Sequence, residues 1–278
     1  MTVEELAGRT AVVTGAGSGI GRGIALHAAQ VGMNVVLADI EPSRLAEAVE
    51  ECRGAGARAI GVVTDVTDAA AVEALAEAAY AEFGEVGLLV NNAGIETLGY
   101  VWDLTPESWS RMMRINTDGV FHGIRAFVPR MGAAAQRSYV VNTGSVASVT
   151  SGPMNAAYHA SKHATLALTE CLSLECQARY PQIQVSALLP GSVDTHIFAD
   201  ASIDGGDEPA GPEGMRNWLL GSLSSEGLTP ASVAKTVFDG ILAGDFWLLP
   251  HEEQFDEFVT RRSAMLTEKA APELPALG

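Results

Sequence analysis

The stretch YHASK, Tyr158 to Lys162, holds the two side chains of this sequence best suited to passing a proton. On a helix, a spacing of four puts Tyr158 and Lys162 on one face, one turn apart. A free phenol titrates near ~10, too high for a base at neutral pH. An ammonium beside it favours the phenolate and lowers that value. The pair then suits removal of a proton from an alcohol, or its return to a ketone. The chain has only three lysines and five tyrosines in 278 residues, yet independent placement still gives this spacing about one time in twenty. The spacing needs company before it means catalysis.

A second chemical signature is TGAGSGIGRG, residues 14–23. The strict G-x-G-x-x-G pattern is absent; Gly15, Gly19 and Gly21 make G-x-x-x-G-x-G instead. Glycine removes the Cβ that would hold backbone away from a pyrophosphate, and a helix opening there aims its amides at the anion. The plainer reading of the same glycines is a tight strand-to-helix turn that binds nothing. Asp39 follows 18 residues beyond Gly21. A carboxylate closing the second strand accepts the hydroxyls of an adenosine ribose and repels a 2′-phosphate. Ile40 and Glu41 come next and Arg44 is the nearest cation, so NAD is favoured over NADP. The structural alternative is an aspartate capping a helix before Pro42.

His159 and His163 bracket the same segment at i and i+4, a spacing that invites zinc. The residues between them are Ala160, Ser161 and Lys162, so the glutamate of H-E-x-x-H is missing and a cation sits where a metal would. Cys52, Cys171 and Cys176 have no metal spacing and leave an odd thiol. No metal is expected, and the thiols are read as reduced.

These residues must be positioned by a scaffold, and the chain alternates in a way that supplies one. Short apolar, β-branched runs at 10–14, 34–39, 57–65, 86–92, 138–145 and 183–190 read as buried strands. Longer alanine-rich segments at 19–31, 42–54, 68–83, 105–131 and 156–179 have helical spacing, with Thr105-Pro106 and Thr67-Asp68 as start signals. The alternation predicts an α/β, doubly wound, mostly parallel sheet with right-handed crossovers, a single Rossmann fold domain over residues 1–278. Residues 1–150 are expected to be mainly cofactor binding. From 192 to 228 the rhythm fails in a Gly, Asp and Pro-rich segment with one short apolar helix, and loops of that length are usually functional. A helix at 229–243, a short strand FWLLP, a helix at about 251–268 and a frayed tail to 278 close the chain.

The net charge of −17 and the scattered arginines argue against nucleic acid, which needs clustered cations. The first ten residues carry two glutamates and no apolar segment, unlike a secretory leader, and no apolar run approaches a membrane span of ~18 residues. A cytoplasmic protein is expected, with no membrane association.

Taken in register, the motifs resemble those of the short-chain dehydrogenase/reductase family in its single-domain form, over Arg9 to about Pro250. They are T-G-x-x-x-G-I-G at 14–21, Asp65-Val66, Asn91-Asn92-Ala93-Gly94, Asn116, Ser145, Tyr158-x-x-x-Lys162 and Pro190-Gly191 leading to Thr195. The resemblance implies an oxidoreductase in which Tyr158 is the acid/base and Ser145 holds the substrate oxygen. Lys162 also binds the nicotinamide ribose, and Asn116 supports a water chain from Lys162. It further implies cofactor contacts at Gly15, Ser18, Gly19, Ile20, Gly21, Asp39, Asp65, Val66, Asn92, Ala93, Gly94, Tyr158, Lys162, Pro190, Gly191, Val193 and Thr195. A positive nicotinamide ring would add to Lys162 in lowering the phenol. A homodimer or homotetramer is implied too, but the ending ILAGDFWLLPHEEQ departs from the glycine-rich ending of many members, so the terminal interface is not predicted.

The residues alone leave bland readings beside these: Tyr158 in a core, Lys162 on a solvated helix face, Ser145 in a turn, Thr195 as a helix cap. The conjunction favours chemistry. The segment after Pro190 is expected to close over the nicotinamide as a lid, with Ile197, Phe198, Met215, Trp218, Leu219 and Leu223 facing substrate or core. With Ile95 and Met154 this wall suits a hydrophobic secondary alcohol or ketone; Arg216 is the lid's one arginine, which disfavours an anion. Glu96, just after Asn91-Asn92-Ala93-Gly94, could touch a substrate hydroxyl, but a solvated rim carboxylate is the favoured reading, since glutamate is rarely buried unpaired. An NADP-dependent reductase, a same-fold lyase and a dinucleotide-sensing regulator are the rivals. The intact glycines weigh against the lyase, and the retained Ser145, Tyr158 and Lys162 weigh against the regulator.

Overall fold

The apolar runs do form a sheet, and its order explains where a ligand must sit. The computed structural model describes residues 5–205 and 211–274, the side chains of 222–226 excepted; residues 206–210 of the expected irregular segment and 275–278 of the expected tail lie outside. The strands are β1 (Thr10–Thr14), β2 (Asn34–Asp39), β3 (Ala59–Val63), β4 (Leu88–Asn91), β5 (Thr97–Leu98), β6 (Ser138–Thr143), β7 (Ile183–Leu188), β8 (Ser202–Ile203) and β9 (Trp247–Leu248). The helices are α1 (Gly19–Gln30), α2 (Pro42–Gly54), α3 (Ala69–Phe83), α4 (Pro106–Met113), α5 (Gly119–Ala133), α6 (Ala156–Arg179), α7 (Pro212–Glu226), α8 (Pro230–Ala243) and α9 (Glu252–Glu268).

Seven strands pair in the order β3-β2-β1-β4-β6-β7-β9, all parallel. Successive units wind one way from β1 and then the other, so the order reverses between β1 and β4. Ligands of such sheets bind beyond the carboxyl ends of the strands at that reversal. Both faces are covered, which is why the strands read as continuous apolar runs. Along β1, Ala11 and Val13 join one core with α1, α2 and α8, while Val12 joins the other with α3, α5 and α6. The doubly wound fold expected from the sequence is thus present.

Three differences matter for function. Strands β3, β6 and β7 each end two residues before the apolar pattern does, where the chain turns out of the sheet toward the site. The helix expected over 105–131 is interrupted by a π-helical turn at Arg114–Asp118. Such wider turns occur mostly as single insertions at functional sites, and this one carries Asn116. The pair β5 and β8 forms a separate two-stranded parallel sheet, with Thr97 opposite Ser202. Two-residue strands are too short to leave a periodic signal. No helix among the described residues is long and apolar enough to cross a membrane.

Candidate active site

A cavity of about 1000 Å³ lies over the carboxyl ends of β1, β2, β4 and β6. At one end the chain leaves β1 through Gly15 (φ +63) and enters α1 at Gly19 (φ +51), both left-handed conformations that favour glycine. A Cβ on Gly21 would lie 2.2 Å from the Gly15 carbonyl oxygen, so the loop closes on itself only without one. Asp39 is held by two amides, from Gly17 to Oδ2 at 2.8 Å and from Glu41 to Oδ1 at 3.0 Å. It faces the cavity, and Arg44 beside it is paired with Asp200 at 3.4 Å.

The floor comes from β4. Asn92 donates from its backbone to Thr14 Oγ1 at 2.9 Å and from its side chain to the Thr14 carbonyl at 3.0 Å, which locks the glycine loop to the strand beside it. Asn91 turns the other way, donating to Asn142 Oδ1 at 2.8 Å in the core. Of the residues expected to hold a cofactor, Gly15, Ser18, Gly19, Ile20, Asp39, Asp65, Val66, Asn92, Ala93, Gly94, Tyr158, Lys162, Pro190 and Thr195 line this one cavity. Gly21 lies behind the loop. Gly191 instead faces α9, donating to His251 Nδ1 at 3.1 Å, and Val193 is buried in a bridge to Leu228. A cavity of this size, with a glycine cradle at a helix start and a carboxylate at its far end, fits a dinucleotide.

The other end carries the groups expected to handle the proton. Lys162 is 3% exposed; its ammonium donates to the Thr143 carbonyl at 3.0 Å and lies 5.5 Å from the centre of the Tyr158 ring. Ser145 caps a short 3-10 turn, accepting from the Ala147 amide at 3.1 Å and donating to the Pro190 carbonyl at 3.3 Å. It also stands close enough to Tyr158 to favour the phenolate. Asn116 accepts from the Ile95 amide at 2.9 Å and donates to Ser161 Oγ at 3.1 Å, so the π turn is tied to the segment after β4 and to α6. Asn116 stands behind the cavity wall, whereas Ser145, 7% exposed, adjoins the lining residues Gly144 and Tyr158.

The electrostatics differ from the sequence reading at two residues. Tyr158 is half-buried with a face toward the cavity, and its phenol is raised, by burial first and Glu96 second, with Ser145 opposing. Lys162 is not among the causes of that shift, and its own ammonium is pushed down to about 8 by burial, with Glu96 opposing. Glu96 is the second correction. It is no solvated rim residue: it is 2% exposed, lines the cavity, and its carboxyl is pushed up to about 8. Burial is the main cause; the Thr97 amide, Lys162 and the Asn155 side chain act in the opposite sense. The sequence signal was a lone glutamate after Asn91-Asn92-Ala93-Gly94, and solvent exposure was the ordinary inference from its type.

The segment after Pro190 contributes Thr195, His196, Ile197 and Asp200 to the cavity, and β8 pins it to β5. Trp218, expected to face substrate or core, is 58% exposed. Phe198, Met215 and Leu219 are half-buried outside the lining, and the Leu223 side chain is outside the described residues. Among the described residues no cluster of His, Cys, Asp or Glu is placed to hold a metal. Cys52 and Cys176 are buried and Cys171 is exposed, all as free thiols.

Comparison with known proteins places this geometry. Residues 9–204 match the short chain dehydrogenase family. The chain is 40% identical over 190 residues to the 1-deoxy-11-beta-hydroxypentalenate dehydrogenase of Streptomyces avermitilis, covering 67% of this chain and 69% of that one. It is 28% identical to the CLA biosynthesis dehydrogenase/reductase of Lactiplantibacillus plantarum over 270 residues, 94% of each. Among solved structures it resembles a short-chain dehydrogenase/reductase of Burkholderia phymatum in complex with NAD, with a TM-score of 0.92, 36% identity and 98% of each chain covered. The match spans the glycine loop, Asp39 and the Ser145, Tyr158 and Lys162 set, and this chain belongs to the short-chain dehydrogenase/reductase family of oxidoreductases.

Proposed function

We propose that the protein is an NAD-dependent oxidoreductase interconverting a hydrophobic secondary alcohol and its ketone, with Tyr158 as acid/base. The observation that carries this reading is the meeting, in one cavity, of the Tyr158–Lys162 pair with a dinucleotide cradle that ends in a carboxylate. Asp39 is held by two amides with its oxygens at the cavity, which suits ribose hydroxyls and repels a 2′-phosphate; Arg44 is engaged by Asp200 and so is drawn away from that task. The NAD complex of the Burkholderia protein supports the same preference.

Bound oxidised nicotinamide supplies the hydride acceptor and a positive charge near the phenol. Ser145 holds the substrate oxygen against Tyr158 by a hydrogen bond that strengthens as that oxygen gains charge. Tyr158 takes the alcohol proton during oxidation and returns it during reduction. Lys162 holds the ribose and stabilises the phenolate, while Asn116 fixes the Ile95 backbone and Ser161 around them. Ile95 and Ile197 give the cavity an apolar wall for a hydrophobic frame. The working unit is a homodimer or homotetramer. Trp109, Phe121 and Leu174, exposed on α4, α5 and α6, support such an assembly.

A panel of cyclic and aromatic secondary alcohols with NAD and with NADP, read by absorbance of the reduced cofactor, tests the reading. Turnover with NAD that Tyr158→Phe abolishes is expected. Undiminished turnover in that variant overturns the mechanism, and preference for NADP overturns the role of Asp39.

A further inference from the structure

Glu96 has a use that the proton-handling set leaves unassigned. Among the described residues, its Oε2 is the one buried, unpartnered side-chain polar atom that belongs to the wall of the large cavity. Oε1 is accounted for by the Thr97 amide at 3.2 Å. The Asn155 side chain acts on this carboxyl as a hydrogen-bonding neighbour that favours the charged form, yet Oε2 has no partner within full hydrogen-bond geometry and Asn155 Oδ1 is likewise unpartnered. A buried polar atom without a partner is costly, and in a cavity wall a bound group can supply the partner.

The residue is also held rigidly. Its carbonyl accepts from the Ser202 amide at 3.3 Å, and the Thr97 and Ser202 hydroxyls meet at 2.8 Å across the β5–β8 pair. The backbone is clamped on both sides, so the carboxyl keeps its direction. Glu96, Tyr158 and Lys162 line the same cavity and the latter two feel the charge of Glu96, which puts it at the Tyr158 end rather than at the Asp39 end.

Resting on the dehydrogenase reading above, we infer that Glu96 is a specificity-determining residue that binds a second hydroxyl of the substrate. The preferred substrate is then a diol, or the matching hydroxyketone, on a hydrophobic frame. A hydroxyl is the complementary group for two reasons. It donates to a carboxylate and accepts from a carboxylic acid, so it serves either protonation state. A substrate cation, in contrast, would be repelled by Lys162 and by oxidised nicotinamide. A site built around a substrate hydroxyl also rejects the analogue that lacks it, because the protein's polar group is then left buried and unpaired.

Matched pairs test this: cyclohexanol against cis- and trans-cyclohexane-1,2-diol and cyclohexane-1,3-diol, and 1-indanol against indane-1,2-diol, each with NAD. In the unaltered enzyme, kcat/KM should favour a diol over its mono-alcohol by about tenfold or more in at least one pair. Glu96→Leu and Glu96→Ala should bring that ratio close to one, and Glu96→Gln, which keeps an acceptor and a donor, should keep part of it. Thermal melting and NADH fluorescence titration establish that each variant folds and holds the dinucleotide; a leucine variant that fails leaves the glutamine and alanine variants to give the ratio. A ratio unchanged by the substitutions overturns the inference, as does no diol preference in the unaltered enzyme. Equal loss on both members of a pair overturns it too, because Glu96 would then act through Lys162. Those three results leave the dehydrogenase reading standing, whereas no turnover of any pair with NAD overturns both.

Discussion

At the scale of single residues, Tyr158, Lys162 and Glu96 form one electrostatic unit. Burial opposes all three charges, and only Glu96 and Lys162 offset each other. Because the phenol starts high, alcohol oxidation should climb with pH through the alkaline range as the phenolate forms. Lys162→Met should move that climb to still higher pH and reduce kcat at pH 8 by about tenfold or more, read from initial rates across pH. Tyr158→Phe should lower kcat by about 10²–10⁴-fold while leaving NADH affinity within a few-fold, read by fluorescence titration.

Glu96 also predicts a stability profile. Its carboxyl titrates near 4.5 when unfolded and near 8 in the fold. Between those values the native state binds the extra proton, so stability is fully present at the acid end and is lost as pH rises toward 8. In Glu96→Gln that loss disappears. Lys162 adds to the same trend, since without Glu96 its ammonium is lowered further and its own burial penalty is relieved at lower pH. Melting temperatures should therefore shift in favour of the glutamine variant as pH goes from about 5 to about 8. A gap that stays constant over this range would show that Glu96 remains ionised throughout.

At the scale of elements, the glycine loop and the π turn do the positioning. Gly19 needs its left-handed backbone, and a Cβ there would touch Thr195 Cγ2 at 3.0 Å, whereas the clash at Gly21 is with backbone. Gly19→Ala should fold with native far-UV circular dichroism and bind NADH about tenfold or more weakly, because the strain falls on the phosphate cradle. Gly21→Ala should lower the melting temperature as well, since the Gly15 carbonyl cannot move without moving β1. The loop was legible in the sequence because glycine spacing is local. The π turn was not: one extra residue in a helical turn changes no local pattern, and the motif was visible only as Asn116 at a certain place in the chain order. The β5–β8 pair escaped as well, being made by segments over 100 residues apart whose two-residue strands carry no periodicity.

At the scale of the whole molecule, sheet order brings the motifs together. The loop after β1, Asp39 from β2, the floor from β4, and Tyr158 and Lys162 from α6 meet because the winding reverses between β1 and β4. The exposed Trp109, Phe121 and Leu174 and the absence of buried residues on α9 leave apolar surface for another copy. Sedimentation equilibrium should give a homodimer or homotetramer, and Phe121→Asp should shift it toward monomer if the α4–α6 face is the interface.

The sequence by itself determined the strands, most helices, the winding and the placing of Tyr158 and Lys162 one turn apart on one helix. Those follow from periodicity and from motifs read along the chain, where the interacting residues are close in sequence or belong to one apolar pattern. The tertiary structure decided what each polar group feels. Glu96 reads as exposed by its type and is buried by the fold; the Tyr158 phenol reads as acidified by Lys162 and is raised by its surroundings; Trp218 reads as a lid contact and points to solvent. Desolvation depends on everything packed around a group from distant parts of the chain, and no local pattern encodes that sum.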